Sequence, residues 1–195
     1  MIRTTAAMIV ALGIWAAMSA LAEEPLKIIE TRVDRIVKIL GDKSLAEEDR
    51  VGKLEAAADE TFDYGYLSRM TLGRNWLNLD ENQRSEFVGL YRRLLEKNYM
   101  GQLLKYTNEK VVFGRQAMLA ENKAEVKSNV VSSDKTIPIT YRLIRRDGDW
   151  KVYDLVIEGV SLVGNYRTQF SDILSRQTPA EMLSILKKKV EEKSG

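Results

Sequence analysis

The chain has 195 residues, 45% hydrophobic and 30% charged, the composition of a soluble globular protein of one ordinary domain with room for a helical appendage. Thirty Lys and Arg stand against 28 Asp and Glu, a formal net charge of +2 with both signs interspersed, so nothing calls for nucleic acid, which a clear basic excess would serve. The chain has no Cys and no His, which excludes a disulfide framework, a catalytic thiol, thiolate metal sites and the usual general base of Ser and Cys hydrolases, and leaves Ser–Lys, carboxylate-pair and tyrosine chemistry open.

The first residues read as a targeting segment. Arg3 gives a basic start, residues 6–18 (AAMIVALGIWAAM) form an apolar stretch, and Ala20-Leu21-Ala22 is a small-x-small cleavage site. The apolar stretch is too short to span a bilayer comfortably, and no Cys follows to carry a lipid anchor. The mature chain is expected to begin at Glu23 and to be secreted.

Leu26, Ile29, Val33, Ile36, Val37 and Leu40 recur at helical spacing, ending at Gly41. A second helix runs from about Leu45, past Val51, Leu54 and Ala58, to Phe62. Residues 62–76, FDYGYLSRMTLGRNW, are dense in aromatics and broken by Gly65 and Gly73, which predicts a short helix and a turn. Asp80 is the next N-cap, with Gln83 placed to close a capping box. A long helix follows from Glu81 to about Tyr106, with Phe87, Leu90, Tyr91, Leu94, Leu95, Asn98, Tyr99 and Leu103 on one face. Tyr91, Tyr99 and Tyr106 each bring a hydroxyl that needs a partner if buried, with backbone the expected one.

From Lys110 the period changes to two. Val111 and Phe113 open one strand. Ala124, Val126, Ser128 and Val130 alternate in a second, and Ile137, Ile139, Tyr141 and Leu143 in a third, where Pro138 points to an edge position or a bulge. Residues 146–149 (RDGD) form a hairpin turn into a fourth strand. That strand places Trp150, Val152 and Val156 on one side and Tyr153, Leu155 and Ile157 on the other, as burial on both faces requires. The chain turns at Glu158-Gly159 and continues from about Ser161 as a helix carrying Leu162, Tyr166, Phe170 and Ile173. Thr178-Pro179-Ala180-Glu181 combines an N-cap, a first-position proline and a capping box, and starts a last helix. Helices first and an antiparallel meander afterwards make an α+β fold. A curved sheet with helices on its concave side encloses an interior, filled by side chains or left for a ligand.

Several of these phrases carry a resemblance. FDYGYLSRMTLGRNW, QRSEFVGLYRRLLEKNY, IPITYRL and above all DGDWKVYDLVIEGVSLVGNYRTQF are similar to the MlaC, or toluene-tolerance, family of periplasmic phospholipid-binding proteins. The resemblance implies an NTF2-like curved antiparallel sheet with an added helical part, enclosing an apolar pocket that holds the tails of a phospholipid with its head group outside. It implies a signal peptide over 1–22 and one phospholipid-binding domain over 23–195, its helical part about 23–108, its sheet about 109–160 and its C-terminal helices about 161–193. It also implies a monomeric carrier, not an enzyme and without a cofactor. Such a carrier moves lipid between an outer-membrane lipoprotein–porin complex and an inner-membrane ABC transporter complex with an MCE-domain subunit, and so maintains outer-membrane lipid asymmetry.

Two tails hold roughly 30 methylenes, whose exposure at about 0.8 kcal/mol each would cost on the order of 24 kcal/mol, so a carrier needs a dry, apolar lining. The residues expected to form lining and core together are Trp76, Phe87, Tyr91, Leu95, Tyr99, Ile139, Tyr141, Val152, Val160, Leu162, Tyr166 and Phe170. Arg74 and Arg167 are candidates to pair a phosphate, with Asn165 as a neutral donor; equally, the arginines could form salt bridges to Asp63, Asp154 or Glu158. Two other readings stay open on the residues alone. One is an NTF2-like small-molecule enzyme using Asp154 or Glu158 as base. The other is a periplasmic peptide-binding or chaperone module. Intact-mass measurement of protein recovered from the periplasm is expected to show a chain lacking residues 1–22; a mass that includes them contradicts the cleavage site.

Overall fold

The structure, a computed structural model, describes residues 24–105 and 109–192. The expected targeting segment, the start at Glu23 and Tyr106 lie outside the described residues. Helix α1, Pro25–Gly41, opens on the proline that suits a first turn and buries Ile28, Ile29, Val33 and Leu40. Helix α2, Glu47–Thr61, buries Leu54 and Ala57. Helix α3, Tyr64–Leu72, is capped by Asp63, whose Oδ1 accepts from Tyr66 N at 2.8 Å. It stops at Gly73, whose φ of 57° suits glycine, and a 3-10 turn over Gly73–Asn78 follows. The aromatic stretch is thus a short helix and a turn, as its glycines predict. Helix α4, Glu81–Leu103, carries the expected Asp80–Gln83 capping box.

Strands β1 (Lys110–Ala120), β2 (Lys123–Val131), β3 (Thr136–Arg146), β4 (Asp149–Ile157) and the two-residue β5 (Val160–Ser161) form one sheet in the order β1-β2-β3-β4-β5. All neighbours are antiparallel. The β3–β4 turn holds Asp147 at φ 52° and Gly148 at φ 84°, the left-handed pair that a two-residue hairpin demands. Helix α5, Leu162–Leu174, and helix α6, Pro179–Glu191, complete the chain; the Thr178–Glu181 capping box is present. The fold is α+β, helices followed by a meander.

Two expectations are corrected. Pro138 sits in β3, an interior strand, not at an edge. Its carbonyl accepts from Glu158 N at 3.0 Å, so its missing donor also faces β4, at the end of that ladder, where the chain is already turning away. The simple alternation of β4 also fails. Arg142 pairs with Asp154 but Leu143 with Val152, so Tyr153 is an extra residue, a bulge. Beyond it the faces exchange, and Leu155 packs with Trp150 and Val152 rather than against them.

Two apolar clusters result. One joins α3, α4, α5 and α6 through Leu67, Leu72, Phe87, Leu90, Tyr91, Leu94, Tyr166, Phe170 and Met182. The other lays Ile28, Ile29 and Val33 of α1 on Ala124, Val126, Tyr141, Leu143, Trp150 and Val152 of the sheet. Phe62 packs against both and forms a parallel bridge with Val152, fixed by Asp63 N donating to Val152 O at 3.0 Å.

The clusters are also joined at Asp154, which is 2% exposed. Its carboxylate accepts from Ser161 Oγ at 2.7 Å, Val163 N at 3.0 Å and Arg142 Nη1 at 3.1 Å. Ser161 in turn caps α5 by accepting from Gly164 N at 2.9 Å. A negative group at the start of α5 is favoured by the helix dipole. Replacing Asp154 by Ala leaves the buried Val163 amide without an acceptor and takes one of two carboxylates from Arg142, which keeps Glu125 at 2.9 Å, and should cost about 2–4 kcal/mol. Ser161→Ala removes the cap and one of Asp154's three donors but leaves the other two in place, and should cost about 1 kcal/mol. Thermal unfolding followed by circular dichroism separates them; equal losses would contradict Asp154 as the joint.

Candidate functional site

The register of the sheet defines one face. Val111, Val130 and Ile137 stand in one cross-strand row; Phe113, Ser128, Ile139 and Ile157 in the next; Val126, Tyr141 and Leu155 in a third. Directly paired residues point to the same side, so these rows form one continuous surface. Its far end, at Ala124, Leu143, Trp150 and Val152, is buried under α1. The near end is not: Val111, Phe113, Val130, Ile137, Ile139, Leu155 and Ile157 are all only partly buried. Half of an apolar sheet face is packed by a helix and half is left open.

Helix α1 is tied so that it covers only that half. Arg32 donates to both carboxylate oxygens of Asp149, at 2.7 and 2.9 Å, and to the carbonyl of Trp150. Leu26 N donates to Gln116 Oε1 at 2.7 Å. The helix therefore cannot slide along the sheet without breaking ties at both places.

The twelve expected lining and core residues divide. Phe87, Tyr91, Leu95, Tyr166 and Phe170 are buried in the helical cluster, with Trp76, Tyr99 and Leu162 packed at its margin. A cavity of about 30 Å³ beside Leu94, Tyr166, Phe170 and Met182 has room for about one water, so this is tight core. Edge-on rings fill it, Phe87 and Phe170 at 5.1 Å and Tyr91 and Tyr166 at 5.2 Å between centroids. Tyr141, Val152 and, at the open end, Ile139 belong to the sheet cluster. Val160 belongs to neither and is 61% exposed. On the open face but outside the expected set are Val111, Phe113, Val130, Ile137, Leu155 and Ile157. The alternation of β2 and β3 already marked two of them, and the bulge concealed Leu155.

The buried tyrosines find side chains, not backbone, as partners. Thr71 Oγ1 lies 3.3 Å from Tyr91 Oη, Asn98 Nδ2 donates to Tyr166 Oη at 2.8 Å, and Ser128 Oγ lies 3.3 Å from Tyr141 Oη. Burial pushes the Tyr91 and Tyr141 phenols up, opposed by these Thr and Ser contacts. Burial, and Tyr166 beside it, hold Tyr99 at about 12.

The polar candidates stand apart from the open face. Arg167 Nε donates to Met70 O at 3.0 Å, closing the end of α3. Asn165 Oδ1 accepts from Gln169, and Arg74 is exposed in the 3-10 turn. Neither arginine takes the acidic partners considered for it: Asp63 pairs with Arg146 and Asp154 with Arg142, while Glu158 occupies an exposed turn at φ 50°. Asp154, the candidate base, has its oxygens engaged by three donors. Among the described residues no group of three acidic side chains could hold a metal ion, and no helix is long and apolar enough to cross a membrane.

Comparison with known proteins fits this arrangement. The model of the MlaC protein family matches residues 30–188. The intermembrane phospholipid transport system binding protein MlaC of Haemophilus influenzae is 27% identical over 117 residues, 57% of this chain and 55% of that protein. The toluene tolerance protein ttg2D of Pseudomonas putida is 26% identical over 95 residues, 48% of this chain and 44% of that one. The matched stretch thus spans about half the length of these relatives. A phospholipid-binding protein from Ralstonia solanacearum, solved in complex with a phospholipid, superposes with a TM-score of 0.78 at 24% identity, covering 86% of this chain and 97% of its own.

Proposed function

This chain belongs to the MlaC family, and from that premise we propose that it is a periplasmic phospholipid carrier whose acyl-chain site is the open half of the sheet face. The observation that carries the reading is the row of partly buried apolar side chains, Val111 to Ile157, left uncovered beside α1. Contiguous exposed apolar surface on a folded domain marks a site for an apolar partner. The names of the relatives, a phospholipid transport binding protein and a phospholipid complex, supply its class.

Acyl chains laid on this face leave one apolar medium for another, so extraction from a bilayer gains little and transfer runs near thermoneutral. Direction is then set by the proteins at either end: an outer-membrane lipoprotein–porin complex and an inner-membrane ABC transporter complex with an MCE-domain subunit. The phosphate stays at the mouth, within reach of water. The chain does no chemistry on its cargo: the carboxylate best placed to be a base, Asp154, is spent on holding α5.

Organic extraction of protein purified under native conditions should release phospholipid. Ile139→Asp puts a charge in the middle of the open face and should lower bound phospholipid several-fold, because a carboxylate among acyl chains is heavily penalised. Val160→Trp, on the exposed turn, should leave lipid content unchanged. If Ile139→Asp melts like the parent once both are delipidated but keeps its full lipid load, the site is elsewhere; if the parent carries no phospholipid, the carrier reading fails.

A further inference from the structure

A second concavity lies away from that face. It is an open cleft of about 520 Å³, walled by α3, the 3-10 turn and the start of α4 on one side and by the tips of the β1–β2 and β3–β4 hairpins on the other. Its lining includes Tyr66, Arg69, Trp76, Arg84, Ile144 and Arg146. The chain as a whole is nearly neutral, yet three guanidinium groups converge here.

Their charge is poorly compensated. The Arg69 side chain has no hydrogen bond or ion pair among the described residues. Arg84 donates Nε to the carbonyl of Trp76 at 3.0 Å and lies over its ring at 5.5 Å, which fixes the guanidinium without neutralising it. Arg146 alone has a carboxylate, Asp63 at 3.0 Å. Near the wall, Lys123 is held over the Tyr66 and Tyr153 rings at 5.8 and 6.0 Å. The apolar part of the cleft combines Tyr66 and Trp76 with Val88 and Ile144, and Leu77, next to Trp76 in the chain, is 75% exposed.

We propose that this cleft docks an acidic segment of a partner protein, its carboxylates on Arg69 and Arg84 and an apolar side chain beside Trp76. Arginine and tryptophan around a water-open concavity are the residue types that dominate protein–protein contacts. Planar guanidinium groups pair carboxylates in two-pronged fashion. A lipid head group suits the cleft less well. Ile144, in its wall, is buried at 4% exposure, the helical cluster beyond is tightly packed, and two acyl chains would have no dry continuation. Charge at such a rim raises the association rate and selects partners, which a shuttle visiting two docking stations needs.

The test uses the mature protein and a hexaglutamate peptide, titrated at low ionic strength and read at the Trp76 indole N–H by NMR, with the buried Trp150 as internal control. Hexalysine and inorganic phosphate are titrated alongside. The expected result is a saturable shift of Trp76 with hexaglutamate alone, fading as salt shortens the Debye length to about 8 Å. Arg69→Glu with Arg84→Glu should weaken it by roughly tenfold or more. Arg69→Glu alone, at a side chain with no partner to lose, should give part of that loss without disturbing the fold. Bound phospholipid should be the same in all three proteins. The proposal is overturned if hexaglutamate leaves Trp76 unmoved, if the variants bind it as well as the parent, if phosphate shifts Trp76 as strongly as the peptide, or if the charge reversals strip phospholipid, which would make the cleft the head-group site.

Discussion

One buried carboxylate decides how the two halves of this protein meet. Asp154 lies on β4 and is answered by a hydroxyl of β5, an amide of α5 and a guanidinium of β3. Burying a charge is costly unless it is matched by well-placed donors, and the match here requires β3, β4, β5 and α5 to be in register together. The bulge at Tyr153 belongs to the same device. It turns Asp154 toward the helix start and, one residue later, returns Leu155 to the apolar face. Sheet and helical bundle are therefore held together by polar contacts at Asp154, seconded by Asp63, whose N–H donates to Val152 O, with Phe62 as the apolar contact common to both clusters.

Among the described residues α1 is the helix whose apolar side chains pack on the sheet rows described above, and it is too firmly tied to cover them all. Arg32 clamps it to the β3–β4 turn and Leu26 to β1. A folded protein gains roughly 25 cal/mol for each Å² of apolar surface it removes from water, so leaving Val111, Phe113, Ile137, Ile139 and Ile157 partly open forgoes stability. In a carrier the forgone contacts are made by the cargo. An apolar occupant then stabilises the folded state by mass action, and the loaded protein should be harder to unfold than the empty one.

Much of this was legible in the sequence. The capping residues Asp80, Gln83, Thr178 and Glu181, the Asp147-Gly148 turn and the switch of period at Lys110 located the elements, because each acts within a few residues of itself. The α+β class followed from their order. What failed was what depends on neighbours distant in sequence. Periodicity treated β4 as regular, since a bulge is a property of two strands and not of one. Phe87, Tyr91, Tyr166 and Phe170 carry the same apolar signal whether they line a pocket or fill a core, and the 5.1–5.5 Å packing of their rings makes them core. Val160 looked apolar and adjacent to the site, yet it opens β5 just beyond the turn at Glu158 and Gly159, with its side chain 61% exposed. Arg69 and Arg84 gave no signal at all, because a cleft formed by two helices and two hairpin tips has no trace in any one of them.

The central claim is that acyl chains lie on the open half of the sheet face. A photo-crosslinking benzophenone amino acid placed at Ile139, in that face, and at Val112, 52% exposed on the opposite side of the same sheet, tests it directly. Protein irradiated as purified from the periplasm and analysed by mass spectrometry should carry a phospholipid adduct at position 139 and none at 112. An adduct at 112 with none at 139, or equal labelling at both, would contradict the account.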